Sequence, residues 1–209
     1  MSDQPTVIGV MLAGGKARRM GGGDKCLLPL TGQTLLQRSL ARALPQVSTM
    51  LLSANGNALR FARTRLPVLA DSIPGQPGPL AGIYQALLWM QANAPHSEWL
   101  VSFASDTPFL PEDQVEKLWA AITSDEQLVI ARANDRIQPA FALWHISLLA
   151  EIEQVLTSDT QVDLRQWAGK HRATFVDFEN PHYDPFFNIN TPQDLYAAEA
   201  MLQKQLASK

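Results

Sequence analysis

A run of seven mostly apolar residues, positions 6–12 (TVIGVML), leads without a break into positions 13–25 (AGGKARRMGGGDK), a loop rich in glycine and positive charge. The run has no helical caps and is apolar at odd and even positions alike. It therefore reads as a strand buried on both faces, as in parallel sheets. Lys16, Arg18, Arg19 and Lys25 fall within ten residues that also hold Gly21, Gly22 and Gly23. Backbone without side chains can approach an anion closely and turn its N–H groups onto it. A buried strand feeding such a loop restricts the chain to folds that present the loop at a sheet edge, toward a small polyanion.

The rest of the chain alternates strands and helices. Thr34 is placed to cap a helix whose apolar face is Leu36, Leu40, Ala43 and Leu44. Positions 50–54 and 66–70 read as two more strands, with Asp71 at the carboxyl end of the second. Prolines and glycines alternate through positions 72–79 (SIPGQPGP), which excludes regular structure there. A helix follows with Leu80, Ile83, Tyr84 and Leu87 on one face, then a buried strand at 99–104 (WLVSFA) with Asp106 just past its end. Pro111 opens a helix carrying Val115, Leu118, Trp119 and Ile122 at helical spacing. Strands are expected at 128–132, at 140–144 and near 173–178. Thr191 and Pro192 begin a last helix, with Thr191 as N-cap and Asp194 as the capping-box acid.

This alternation predicts an α/β fold, a three-layer α/β/α sandwich around a mainly parallel (mixed) sheet of Rossmann-like kind. Crossover connections put the carboxyl ends of the strands on one edge, where the 13–25 loop, Asp71 and Asp106 then converge. No internal repeat or long linker divides the 209 residues, so they read as a single domain.

Composition excludes several classes of function. A net charge of −3 argues against broad nucleic-acid binding, which calls for a basic face. No stretch approaches the ~20 apolar residues needed to span a bilayer, and the N-terminus lacks a signal pattern, so the expected location is the cytoplasm with no membrane partner. Cys26, the single cysteine, precludes an internal disulfide and reads as a packed thiol. The four histidines form no metal-spaced or triad-like cluster.

The loop matches neither standard phosphate loop. A Walker A sequence would need glycine at Val10 and Ser or Thr at Ala17, and the dinucleotide fingerprint would need glycine at Lys16. The residues nevertheless suit a nucleoside triphosphate. Arg19 offers a forked, permanent cation and Lys25 a mobile point charge. Charge builds on the α–β bridging oxygen as pyrophosphate leaves, and preformed cations there stabilise the transition state. Asp106 can hold Mg²⁺ beside phosphate oxygens or cap the helix that follows it. Asp71 can accept hydrogen bonds from N1–H and N2–H₂ of guanine, or form a turn before Ser72. Gly78 and Gly82 flank a helix start and permit close approach of a nucleotide or simple packing. Asn188 and Asn190 alternate along an extended segment, so both side chains can point the same way, or they form a turn before a capped helix.

Taken in order, Leu12-Ala13-Gly14-Gly15, Arg19-Met20-Gly21, Asp24-Lys25, Asp71, Pro77 to Gly82, Asp106-Thr107-Pro108 and Asn188 to Pro192 resemble the nucleoside-triphosphate transferase fold. Within it the chain most resembles the molybdenum cofactor guanylyltransferase family, over nearly its whole length. Gly14-Gly15 is similar to the guanylyl branch, whereas cytidylyl and sugar-nucleotide relatives more often carry Ala-Ala-Gly. The resemblance implies transfer of GMP from GTP to the terminal phosphate of molybdopterin, with release of pyrophosphate. It implies Mg²⁺ as cofactor, replaceable by Mn²⁺, with Asp106 as metal ligand. It assigns catalysis to Arg19, Lys25 and Asp106. It assigns GTP binding to Leu12, Ala13, Gly14, Gly15, Lys25, Ser53, Asp71, Gly78 and Asp106. It puts Gly82, Gln138, Asn188 and Asn190 on the acceptor side, making residues of about 6–110 the GTP-binding half and about 111–205 the acceptor-binding half. Molybdenum-insertion and molybdoenzyme-chaperone proteins are the implied protein partners. One departure stands out: the family commonly has asparagine where this chain has Ser53, followed here by Ala54 and Asn55. Competing readings are a cytidylyl or sugar-phosphate nucleotidyltransferase, and a nucleotide-binding regulator without turnover.

Overall fold

The computed structural model describes residues 6–14, 23–73, 78–123, 125–158, 164–171 and 173–207. Their regular elements are, in chain order, β1 (Ile8–Leu12), β2 (Pro29–Leu30), β3 (Gln33–Thr34), α1 (Leu35–Ala43), β4 (Thr49–Ser53), β5 (Val68–Leu69), α2 (Pro79–Asn93), β6 (Trp99–Ala104), α3 (Gln114–Ala120), β7 (Leu128–Ala133), β8 (Arg136–His145), α4 (Leu149–Thr157), α5 (Leu164–Lys170), β9 (Thr174–Asp177) and α6 (Pro192–Ala207). Seven strands form one sheet in the order β5-β4-β1-β6-β8-β7-β9. Its pairings are parallel except the two made by β8, so the sheet is mixed and mainly parallel, as the alternation predicts.

Alternate residues of β1 serve opposite faces, which is why the run is apolar throughout. Val7 and Met11 join Leu36, Leu40, Val115 and Leu118 in one core, under α1 and α3. Ile8 and Val10 join Ile83, Leu87, Ile152 and Trp167 in the other, under α2, α4 and α5. The three layers are therefore helix, sheet and helix. A smaller cluster of Leu30, Leu35, Phe109, Ile189 and Ala198 docks α6 beside the small β2–β3 hairpin.

The chain leaves β1 for β4 and β5 on one side, then returns to β6 on the other. This reversal opens a crevice beyond the carboxyl ends, with Leu12 opposite both Ser53 and Ala104. Two bonds extend the pairing past the strand ends: Ala13 N–H donates to Ser53 O at 2.8 Å and Ser105 N–H to Leu12 O at 3.1 Å.

Several elements differ from the sequence expectation. α1 stops at Ala43 because Pro45 follows. Leu44 begins a short 3-10 turn and is 43 % exposed, so it leaves the predicted apolar face. α3 begins at Gln114 rather than Pro111, after Gln46 has bonded Pro111 O and Val115 N–H. β8 starts at Arg136 rather than Ala140, absorbing Pro139 in a register shift opposite Ile130 and Ala131 where its missing N–H costs no ladder bond. Asn134 and Asp135, both at positive φ, turn β7 into β8. α4 and α5 were not anticipated, although Leu148, Ile152 and Leu156 carry helical spacing and are buried.

Candidate active site

Lys25 opens a one-turn 3-10 helix just after the glycine-rich loop, and only 7 % of it is exposed. Its ammonium lies 2.5 Å from Asp106 Oδ2, 2.9 Å from Asn188 Oδ1 and 2.5 Å from Asn190 Oδ1. An ammonium has three N–H donors, and here each has an oxygen acceptor. Lys25 and Asp106 thus face one another directly, across 81 residues of sequence.

Each partner is held by its own element. Asp106 follows β6 by two residues, and its backbone oxygen accepts from Ile189 N–H at 3.0 Å. That bond splices the 188–190 segment onto the tip of β6. Ile189 is fully buried, so extended geometry turns Asn188 and Asn190 outward together, toward Lys25. The capping box expected at α6 is present: Thr191 N–H and Asn190 N–H both donate to Asp194 Oδ2 at 2.8 Å, and Asp194 N–H donates to Thr191 Oγ1 at 3.2 Å. Burial opposes charge on Asp194, but the bonds from Asn190 and Thr191, with Lys25 nearby, outweigh it and hold its carboxyl below the usual range. The result is a cluster of three side-chain oxygens turned onto one cation at the sheet edge.

A second group lies beyond β4 and β5. Asn55 Nδ2–H donates to Asp71 Oδ2 at 2.6 Å, and Asp71 N–H donates back to Asn55 Oδ1 at 2.8 Å. Arg60 donates through Nη2 to Asn55 O and through Nη1 to Asn57 O, both at 2.5 Å. Its Nε lies 2.6 Å from Asp24 Oδ2, the residue preceding Lys25. The sequence offered Asn55 only as a neighbour of Ser53. The role of Arg60 and Asp24 had no local signal, because their partnership depends on how loops from different strands meet.

The other expected residues are distributed around this edge. Leu12 ends β1, Ala13 is buried beside it, and Gly14 is exposed with open space where a Cβ would stand. Ser53 ends β4, is 6 % exposed and packs against Gly82 in the first turn of α2. A Cβ on Gly82 would collide with Ser53 Oγ and lie 3.0 Å from Leu12 Cδ2. Gly82, which the resemblance puts on the acceptor side, therefore stands beside Leu12 and Ser53, two residues it assigns to GTP. Gly78 precedes α2 as its N-cap, in open space. Gln138 lies within β8, opposite Ala131. Because β8 runs against its neighbours, its first residues lie at the edge where the parallel strands finish. Gly15 and Arg19 lie outside the described residues, as do Lys16 and Arg18.

The arrangement combines a buried ammonium, a strand-tip carboxylate, two amide oxygens and an acid–amide pair around one crevice. It is suited to gripping a charged phosphate chain at one end and a hydrogen-bonding base at the other.

The chain is similar to known proteins over nearly its whole length. The family model of the MobA-like NTP transferase domain matches residues 9–174. A molybdenum cofactor guanylyltransferase from Nitrobacter hamburgensis is 42% identical over 198 residues, covering 94% of this chain and 95% of that protein. One of the same name from Rhodopseudomonas palustris is 40% identical, covering 95% of each. Among solved structures, molybdopterin-guanine dinucleotide biosynthesis protein A from Archaeoglobus fulgidus superposes with a TM-score of 0.74. It is 23% identical, covering 94% of this chain and 99% of that one, a likeness of fold. A 4-diphosphocytidyl-2C-methyl-D-erythritol synthase from Anaerococcus prevotii superposes at 0.72 with 17% identity, covering 96% of this chain and 97% of that one. With its fold, its loop order and its full-length relatives in agreement, the chain belongs to the MobA-like NTP transferase family, among the molybdenum cofactor guanylyltransferases.

Proposed function

We propose that this protein transfers GMP from GTP to the terminal phosphate of molybdopterin, in its metal-free or molybdenum-loaded form, releasing pyrophosphate and forming the guanine dinucleotide cofactor. The observation that carries the reading is the Lys25–Asp106 contact of 2.5 Å at the carboxyl edge of the sheet, where the topology opens a ligand crevice. The names of the full-length relatives support it.

On this reading the acceptor phosphate attacks the α-phosphorus in line, and the α–β bridging P–O bond breaks with its electron pair leaving on pyrophosphate. Lys25 and Arg19 offset the charge that grows there. A phosphate monoester is largely dianionic near neutral pH, so the acceptor needs no general base from the chain. Backbone at Ala13 and Gly14 lies against the nucleotide, and Asp71 accepts from N1–H and N2–H₂ of guanine. Asn188 and Asn190, with Gln138 near the same edge, face the acceptor. The delivery and collection of the pterin fall to molybdenum-insertion and molybdoenzyme-chaperone proteins.

Asp106, Asn188 and Asn190 already surround one cation with three oxygens, and oxygen-rich sets of this kind suit hard divalent ions. They fit Mg²⁺, or Mn²⁺ in its place, with Asp106 as the charged ligand. When bound, the ion supplies Lewis-acid neutralisation of the triphosphate. Lys25, whose side chain is long and flexible, is then free to engage phosphate oxygens.

The test is pyrophosphate release with purified protein, molybdopterin and Mg²⁺, with GTP, CTP and UTP in competition. Release with GTP far above CTP and UTP is expected. Lys25→Ala and Asp106→Ala should each lower turnover by about 10²–10³-fold or more while keeping a native circular-dichroism spectrum. Preference for CTP, or wild-type turnover by either variant, overturns the assignment.

A further inference from the structure

We infer that Asn55 is a positioning residue for nucleotide selection, fixing the carboxylate plane of Asp71 so that both oxygens meet the hydrogen-bonding edge of guanine. The inference rests on the reading of Asp71 as the base-recognising acid. It adds a residue that does not itself need to touch the base.

A free carboxylate on an exposed loop rotates about its Cβ–Cγ bond, and a rotating acceptor pair distinguishes bases poorly. Two parallel donors on guanine, N1–H and one N2–H, are matched only when both oxygens lie in the plane of the ring. In this chain the side-chain amide of Asn55 closes a ring with Asp71: Nδ2–H donates to Oδ2 at 2.6 Å, and Oδ1 accepts Asp71 N–H at 2.8 Å. Both bonds belong to one planar amide, so together they fix the backbone of Asp71 and the orientation of its carboxylate. A carboxylate oxygen can accept two hydrogen bonds. Oδ2 therefore remains able to accept from a base, and Oδ1 has no protein donor among the described residues.

Asn55 is in turn fixed from behind. Arg60 donates to the backbone oxygens of Asn55 and Asn57, and its remaining nitrogen lies 2.6 Å from Asp24 Oδ2. Asp24 precedes Lys25, so one guanidinium braces the base-recognising loop against the turn that presents the catalytic lysine. Ser53 is 6 % exposed and packs against Gly82, whereas Asn55 stands exposed beyond the end of β4.

The experiment measures dissociation constants of the full chain for fluorescent GTP and fluorescent ITP. ITP keeps N1–H and lacks the exocyclic amine. Asn55 is exposed, so Asn55→Ala removes no core packing, and a thermal melt checks that fold is kept. Asn55→Ala is expected to weaken GTP roughly tenfold, the equivalent of about 1.4 kcal/mol, and to bring the GTP-to-ITP preference toward parity. Asn55→Asp, which keeps the shape but sets a second carboxylate against Asp71, should weaken GTP further. Asp71→Asn is the control. If it erases the preference while both Asn55 variants keep wild-type values, the positioning role is overturned and the role of Asp71 stands. If Asp71→Asn itself keeps the wild-type preference, the base reading of Asp71 fails, and the role of Asn55 fails with it.

Discussion

Lys25 and Cys26 are neighbours in one turn and are both buried, yet their surroundings give them opposite chemistry. The ammonium of Lys25 has an oxygen for each of its protons. The thiol of Cys26 is pushed up to about 12, chiefly by burial and then by the negative charge of Asp24. It therefore stays protonated and unreactive through the neutral range. The folded state binds this proton more tightly than the unfolded chain, where the thiol titrates near its ordinary 9.0. The associated stability is complete below about pH 9 and is lost as pH rises from there toward 12. Labelling with a disulfide reagent at pH 8 should be at least about 10²-fold slower in native protein than in protein unfolded with denaturant. Comparable rates would place the thiol in an open, charged setting that its surroundings contradict.

At the scale of elements, a residue with no side chain sets how near α2 can come to the ends of β1 and β4. Gly82 lets the first turn of α2 lie against Ser53 and Leu12, and a methyl group there would collide with Ser53 Oγ. Gly82→Ala gains a little helix propensity but forces overpacking, with an expected net loss of about 1–3 kcal/mol in urea denaturation. A neutral or stabilising result would mean that Ser53 rotates aside freely. The elements themselves were readable wherever apolar spacing was strong. β1, β4 and β6 are buried on both faces, and α1 and α6 carry capping boxes in their residue pattern. Where reading failed, a local rule met a tertiary exception. Pro139 argues against a strand, yet a register shift accommodates it inside β8. The start of α4 lacks a side-chain cap, so only its buried stripe betrays it. The loop that carries Lys25 leaves the end of β1 and Asp106 lies just past the end of β6, which was enough to place them on one edge. The ring between Asn55 and Asp71 was not readable, because it depends on the parallel pairing of β4 with β5.

Across the whole molecule, β6 and β8 join the strands of the first half of the chain to those of the second. A buried polar group lies at this seam. Trp144 Nε1–H donates to Ser102 Oγ at 2.9 Å, Ser102 Oγ–H donates to Ala142 O at 3.4 Å, and Gln114 Nε2–H donates to Ser102 O at 3.3 Å. Ser102→Ala would leave the indole N–H of fully buried Trp144 without its partner, at an expected cost of about 1–3 kcal/mol. If the seam couples the halves, tryptophan fluorescence and circular dichroism should still report one coincident unfolding transition, at lower urea. Two separated transitions would show halves that melt independently. Among the described residues no helix is long and apolar enough to cross a membrane.

The two asparagines that meet Lys25 stand 163 and 165 residues further along the chain. During synthesis the sheet strands leave the ribosome before these partners do, so a nascent chain can hold most of its scaffold while its lysine still lacks two of its three acceptors. Competence to bind both substrates together would then arrive late and abruptly, when residues 188–190 emerge and α6 docks to hold them.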